Sequence, residues 1–167
     1  AIDLDIEETV ELKDVQRLMR DIHNDYPNMQ IVLTPLAGSL SQDGPGMGGF
    51  SYKDLWCSPE GGYISWFNAQ AYGDLTNDEL NAIVQNGYPV DIIVMGMLGT
   101  QLETTGDFPE ICNELIKCVS QYKNKFGGVF IWEYYDQPGH WLETMYNIIH
   151  KTKYKKHKTI TRICSIQ

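Results

Sequence analysis

Asp3, Asp5 and Glu7 occupy every second position of the opening segment Ala1-Ile2-Asp3-Leu4-Asp5-Ile6-Glu7, with apolar residues between them. Successive side chains of a β-strand point to opposite faces, so the three acids are expected to share one face. Ile2, Leu4 and Ile6 then face the other way, into an apolar layer. Three acids on one face of a buried strand repel one another, and at least one is expected to hold its proton to higher pH than an isolated carboxyl. A carboxylic acid kept protonated beside ionised ones is what glycosidic bond cleavage requires. The same alternation also fits an amphipathic edge strand with a solvated acidic face. A third reading, a divalent cation held by the Asp-x-Asp pair, lacks a phosphate-cradling glycine loop or a further ligand cluster.

The elements that position these acids can be read from the pattern downstream. Apolar residues recur at a helical period from Val10 through Val15 and Met19 to Ile22, and Tyr26-Pro27 is expected to end that helix. Ile31-Val32-Leu33 reads as a buried strand, followed by a glycine-rich loop from Ser39 to Gly49. Tyr63 to Tyr72 alternates as a further strand. Thr76-Asn77-Asp78-Glu79 fits a capping box that opens a helix toward Asn86-Gly87. Asp91 to Met95 is predicted to be a strand, and Asp107-Phe108-Pro109-Glu110 the start of a helix. Val129 to Tyr134 is predicted to be the last strand and Pro138 to His150 the last helix. Strands alternating with helices predict an α/β fold with a parallel sheet.

Composition limits the rest. A chain of 167 residues with 43% apolar content is one domain by size. The net charge of −9 is unevenly placed: six of the thirteen basic residues lie beyond residue 150, and no acid lies beyond Glu143. Such an acidic body disfavours nucleic acid and suits a neutral polymer, and the basic tail reads as a flexible terminus. The four cysteines show no zinc spacing, and Cys112 and Cys118, six apart on a helix, are not expected to bridge each other. His23, His140, His150 and His157 have no ligand spacing either and read as surface or helix-end residues. No metal site and no membrane span are expected.

The opening segment resembles the fourth-strand signature of glycoside hydrolase family 18, the chitinases and endo-β-N-acetylglucosaminidases, which reads Asp-Gly-x-Asp-x-Asp-x-Glu. Ala1 stands where the family has Gly, and the leading Asp is absent. Ile31 to Ala37 resembles the family's fifth strand. Tyr63-Ile64-Ser65-Trp66-Phe67-Asn68-Ala69-Gln70-Ala71-Tyr72 resembles the sixth, with Ala71 where fungal-type members carry a bulkier residue. Asp91 to Gly96 and Gly127 to Tyr134 stand where the seventh and eighth belong. A (β/α)₈ barrel typically takes ~250 residues. The resemblance therefore implies a partial barrel over residues 1–150, strands four to eight with their helices, the first three strands missing, and a tail over 151–167.

The resemblance also implies roles. Glu7 would be the general acid and base, Asp5 the acceptor for the substrate's acetamido N–H, and Asp3 a partner sharing a proton with Asp5. Tyr72 would hold the acetamido carbonyl. Gln70 and Asn68, on the same strand face, would bind substrate, and Trp132 would form an apolar floor under the sugar. Tyr134 and Asp136 continue the phase of Trp132 and would border the groove. The implied activity is retaining, substrate-assisted hydrolysis of chitin or chitooligosaccharides by an extracellular monomer without metal or cofactor. The chitobiose core of N-glycans is the alternative substrate. Non-catalytic lectins on this scaffold commonly lack the acid, so Glu7 favours an enzyme. Five strands of eight leave open edges, so the isolated chain is expected to have little or no activity.

Overall fold

The computed structural model describes residues 1–104 and 106–150, and the predicted tail with His157 and Cys164 lies outside the described residues. Five strands form one sheet: β1 (Ile2–Leu4), β2 (Ile31–Leu33), β3 (Ile64–Gln70), β4 (Ile93–Leu98) and β5 (Gly128–Trp132). Every neighbouring pair is parallel and the order is β1-β2-β3-β4-β5. Strand order that follows chain order without reversal is that of a barrel wall; a doubly wound sheet reverses at a switch point.

Helices occupy each connection. They are α1 (Leu12–Asp25), α2 (Gly38–Ser41), α3 (Tyr52–Cys57), α4 (Asn77–Gln85), α5 (Gly99–Thr104), α6 (Phe108–Tyr122) and, after β5, α7 (Trp141–His150). α1 buries Val15 and Met19, four residues apart, and ends at Tyr26 ahead of Pro27. Arg20 of α1 donates to the buried Glu60 at 2.5 Å, tying the helix to the turn before β3. α4 begins where Thr76 Oγ1 accepts from the Glu79 N–H at 3.1 Å. The reciprocal half of the predicted capping box is not made, because the Thr76 N–H donates to the Asp74 carbonyl at 2.9 Å. α6 carries Pro109 in its first turn, as the spacing predicts.

The register divides the sheet into two faces. On one, Leu4, Leu33 and Phe67 lie side by side, as do Ala69, Met95 and Val129. The helices cover this face: Phe67 meets Trp56 of α3, and Met97 accepts from the Trp141 indole N–H of α7 at 3.3 Å. Phe67 is fully buried, with the Tyr88 ring 5.4 Å away and nearly perpendicular to it. Phe67→Ala is expected to cost about 3–5 kcal/mol of unfolding free energy, read from denaturant melts of the whole protein.

Four boundaries differ from expectation. The Ser39–Gly49 loop is entered through one helical turn, α2, which buries Leu40. β4 starts two residues late because Pro89 opens a tight turn at Val90–Ile92, with the Ile92 N–H on the Pro89 carbonyl at 3.3 Å. β5 stops at Trp132, and Tyr134–Asp136 forms another tight turn. β1 ends at Leu4, whose carbonyl accepts from the Thr34 N–H at 3.2 Å. Asp5 and Glu7 therefore lie in the segment leaving the strand. β1 is also an edge strand: Ile2, Leu4 and Ile6 are half-buried, and the three acids are exposed.

Candidate active site

The face opposite the helices carries Asp3 of β1, Val32 of β2 beside it, and Trp66 of β3 beside Val32. Alternation along β3 then places Asn68 and Gln70 on the same face, with Tyr72 two residues past Gln70. β4 contributes Val94, Gly96 and Leu98, and β5 contributes Phe130 and Trp132. Gly96 is required here: a Cβ would come within 2.3 Å of the Phe130 ring, which lies across it. That approach lets Phe130 reach the Tyr72 ring, 6.5 Å between centroids.

The acids are held by neutral donors. Asp3 Oδ1 accepts from Thr34 Oγ1 at 2.5 Å, and Asp3 Oδ2 accepts from Asn68 Nδ2 at 3.0 Å. Asn68 is itself oriented by Trp66, whose Nε1 donates to Asn68 Oδ1 at 3.0 Å. Gln70 Nε2 donates to Asp5 Oδ1 at 3.2 Å and to the Thr34 carbonyl at 2.8 Å. Desolvation pushes the Asp5 carboxyl up, the charges of Glu7 and Asp3 push it further, and the Gln70 hydrogen bond partly offsets them. Asp5 is thus raised, as the spacing predicts for at least one of the three acids.

Tyr72 is drawn into the same field. Burial, then the charges of Asp5 and Glu7, push its hydroxyl up to about 12, so it remains a hydrogen-bond donor throughout the physiological range. Tyr52 of α3 is buried and its hydroxyl has no partner among the described residues. Burial and the charge of Asp5 raise it as well. Among the described residues, no group of three or more His, Cys, Asp or Glu side chains is arranged to hold a metal ion. No helix there is long and apolar enough to cross a membrane.

Of the predicted site residues, hydrogen bonds bring Asp3, Asp5, Asn68 and Gln70 together, and electrostatic coupling joins Glu7 and Tyr72 to Asp5. Trp132 stands on the same face at the end of β5, 59% exposed. Tyr134 and Asp136 do not continue its phase: the strand has ended, Tyr134 is exposed, and the Asp136 backbone packs against Gly99. The histidines pack on rings: His23 on Tyr63 at 4.1 Å, His140 on Phe108 and His150 on Tyr146. Cys57 is an exposed free thiol and Cys118 a buried one. Thr34 is the site residue that the pattern does not single out. Directly after Ile31-Val32-Leu33, it reads as one more β-branched strand residue.

Two solved structures resemble this chain. A fungal endo-β-N-acetylglucosaminidase from glycosyl hydrolase family 18 is 29% identical, with a TM-score of 0.77 over 90% of this chain and 56% of that one. The chitinase ChiC from Aspergillus fumigatus is 30% identical, with a TM-score of 0.71 over 89% of this chain and 58% of that one. The chain therefore spans little more than half the length of either. No protein-family model matches it, and no curated protein sequence does.

Proposed function

We propose, from the premise that this chain carries the glycoside hydrolase family 18 fold over part of that fold's length, that the whole protein hydrolyses β-1,4-linked N-acetylglucosamine chains. The observation that carries this reading is the cluster at one end of the sheet, where Thr34, Asn68 and Gln70 hold Asp3 and Asp5, with Glu7 and Tyr72 in the field of Asp5. It combines acids with a phenol kept protonated beside them, the groups needed to cleave a glycoside that carries its own nucleophile.

Glu7 donates its proton to the glycosidic oxygen as the C1–O bond breaks. The substrate's acetamido carbonyl oxygen bonds to C1, and no enzyme carboxylate attacks; this departs from the two-carboxylate scheme. The Tyr72 hydroxyl donates to that carbonyl and aims it. Asp5 accepts from the acetamido N–H, stabilising the positive charge of the oxazolinium ion. Water then attacks C1, Glu7 takes its proton, and the oxazolinium C1–O bond opens, leaving the product with retained configuration. Gln70 holds Asp5 in place, Asn68 holds Asp3, and Trp132 provides an apolar face for the sugar ring. The chemistry requires neither metal nor cofactor, and on this reading the enzyme is an extracellular monomer.

A second substrate, the chitobiose core of N-glycans, is favoured by the likeness to an endo-β-N-acetylglucosaminidase. Fluorophore release from a chitotriose conjugate, run beside deglycosylation of a high-mannose glycoprotein, separates the two. The whole protein is expected to turn over the conjugate. Inertness toward both substrates would contradict the reading.

A further inference from the structure

We propose that Thr34 is the positioning residue of the acid site, holding Asp3 and Gln70 together so that Asp3 is the first of the acidic pair to ionise. Its catalytic consequence rests on the glycosidase reading; its structural basis does not. Thr34 is 9% exposed and sits at the end of β2 immediately before Pro35. The Thr34 carbonyl accepts from Gln70 Nε2 at 2.8 Å. Its hydroxyl donates to Asp3 Oδ1 at 2.5 Å. One residue thus reaches both acids, Asp3 directly and Asp5 through the amide that also donates to Asp5 Oδ1 at 3.2 Å.

The two acids are not equivalent in this arrangement. Both Asp3 oxygens accept from donors, Thr34 on one and Asn68 on the other, and Trp66 fixes the orientation of Asn68. Both bonds are charge-assisted while Asp3 is ionised, and protonating it would weaken them. Asp5 has a single hydrogen bond, from Gln70, and its second oxygen has no partner among the described residues. Two donors thus favour the ionised form of Asp3, against one for Asp5. The titratable groups facing the pair are Glu7 from the same segment, Tyr72 past the end of β3 and Tyr52 of α3. β2 and β3 present the uncharged Thr34, Trp66, Asn68 and Gln70, and no cation among the described residues contributes to the field at Asp5.

The test is carboxyl titration by ¹³C NMR of the whole protein labelled at aspartate, in wild type, Thr34→Val and Thr34→Ser, with kcat/KM–pH profiles alongside. Thr34→Val keeps the side-chain shape and removes the donor. The lower macroscopic pKa of the pair is expected to rise by about one unit, the scale of one hydrogen bond to a charged acceptor. The acidic limb of the rate profile is expected to rise with it, and Thr34→Ser to restore both. Asn68→Ala removes the other donor and is expected to move the pair in the same direction, so the idea is tested even if Thr34→Val fails to fold. An unchanged titration in the folded variants overturns the role of Thr34. If the wild type turns over no substrate, the glycosidase reading falls, and the titration still decides what Thr34 does.

Discussion

Glu7→Gln in the whole protein is expected to lower kcat on a chitotriose conjugate by about 10²–10⁴-fold, the range of a positioned acid–base group. The large effect follows from Glu7 acting twice, first giving a proton to the leaving oxygen and then taking one from water. The substituted glutamine is nearly isosteric and can do neither. Glu7 is exposed and outside the ladder of β1, so the unfolding midpoint is expected to stay where it is. Loss of turnover with no loss of stability separates catalysis from folding. A variant retaining a tenth or more of the rate would remove Glu7 from the chemistry.

Asp5→Asn is expected to cost about 10²–10³-fold in kcat, the scale of one preorganised group stabilising developing charge. The substituted asparagine can still accept from Gln70, so the geometry survives while the negative charge is lost. Stability is expected to move the other way at neutral pH. The Asp5 carboxyl is raised in the folded chain by desolvation and by the charges of Glu7 and Asp3. The folded state therefore holds this proton more tightly than the unfolded state does. The resulting stabilisation is fully present below the unfolded value of about 3.9 and is lost as pH rises through the folded value. Above that, ionised Asp5 opposes folding, and the neutral amide of the variant relieves the opposition. A higher Tm for Asp5→Asn at pH 7, vanishing near pH 4, is the expected calorimetric result; such a trade of stability for activity is common at catalytic sites.

Much of this arrangement is written locally. The alternation from Ile64 to Gln70 depends only on β-strand period, so the shared face of Asn68 and Gln70 follows from the sequence. Tyr72 continues that phase past the strand end and still reaches the field of Asp5 and Glu7. The apolar stripe of α1 and the cap at Thr76 are likewise local features.

What was not legible depends on neighbours distant in sequence. Thr34 becomes a site residue only because β1 pairs with β2 in the register Leu4↔Leu33, which brings Asp3 to its hydroxyl thirty-one residues away. The short α2 is hidden in a glycine-rich stretch, and Leu40, its buried contact, is one residue in an otherwise polar run. Tyr134 fits the β5 period but falls past its last residue, so period alone misplaces it.

The anomeric form of the first sugar released by the whole protein, followed by ¹H NMR within minutes of adding chitooligosaccharide, bears most directly on attack by the substrate's own acetamido group. Nascent β-anomer, mutarotating later to the equilibrium mixture, is the predicted result. Nascent α-anomer would mean direct displacement by water and would contradict the roles given to Asp5, Glu7 and Tyr72.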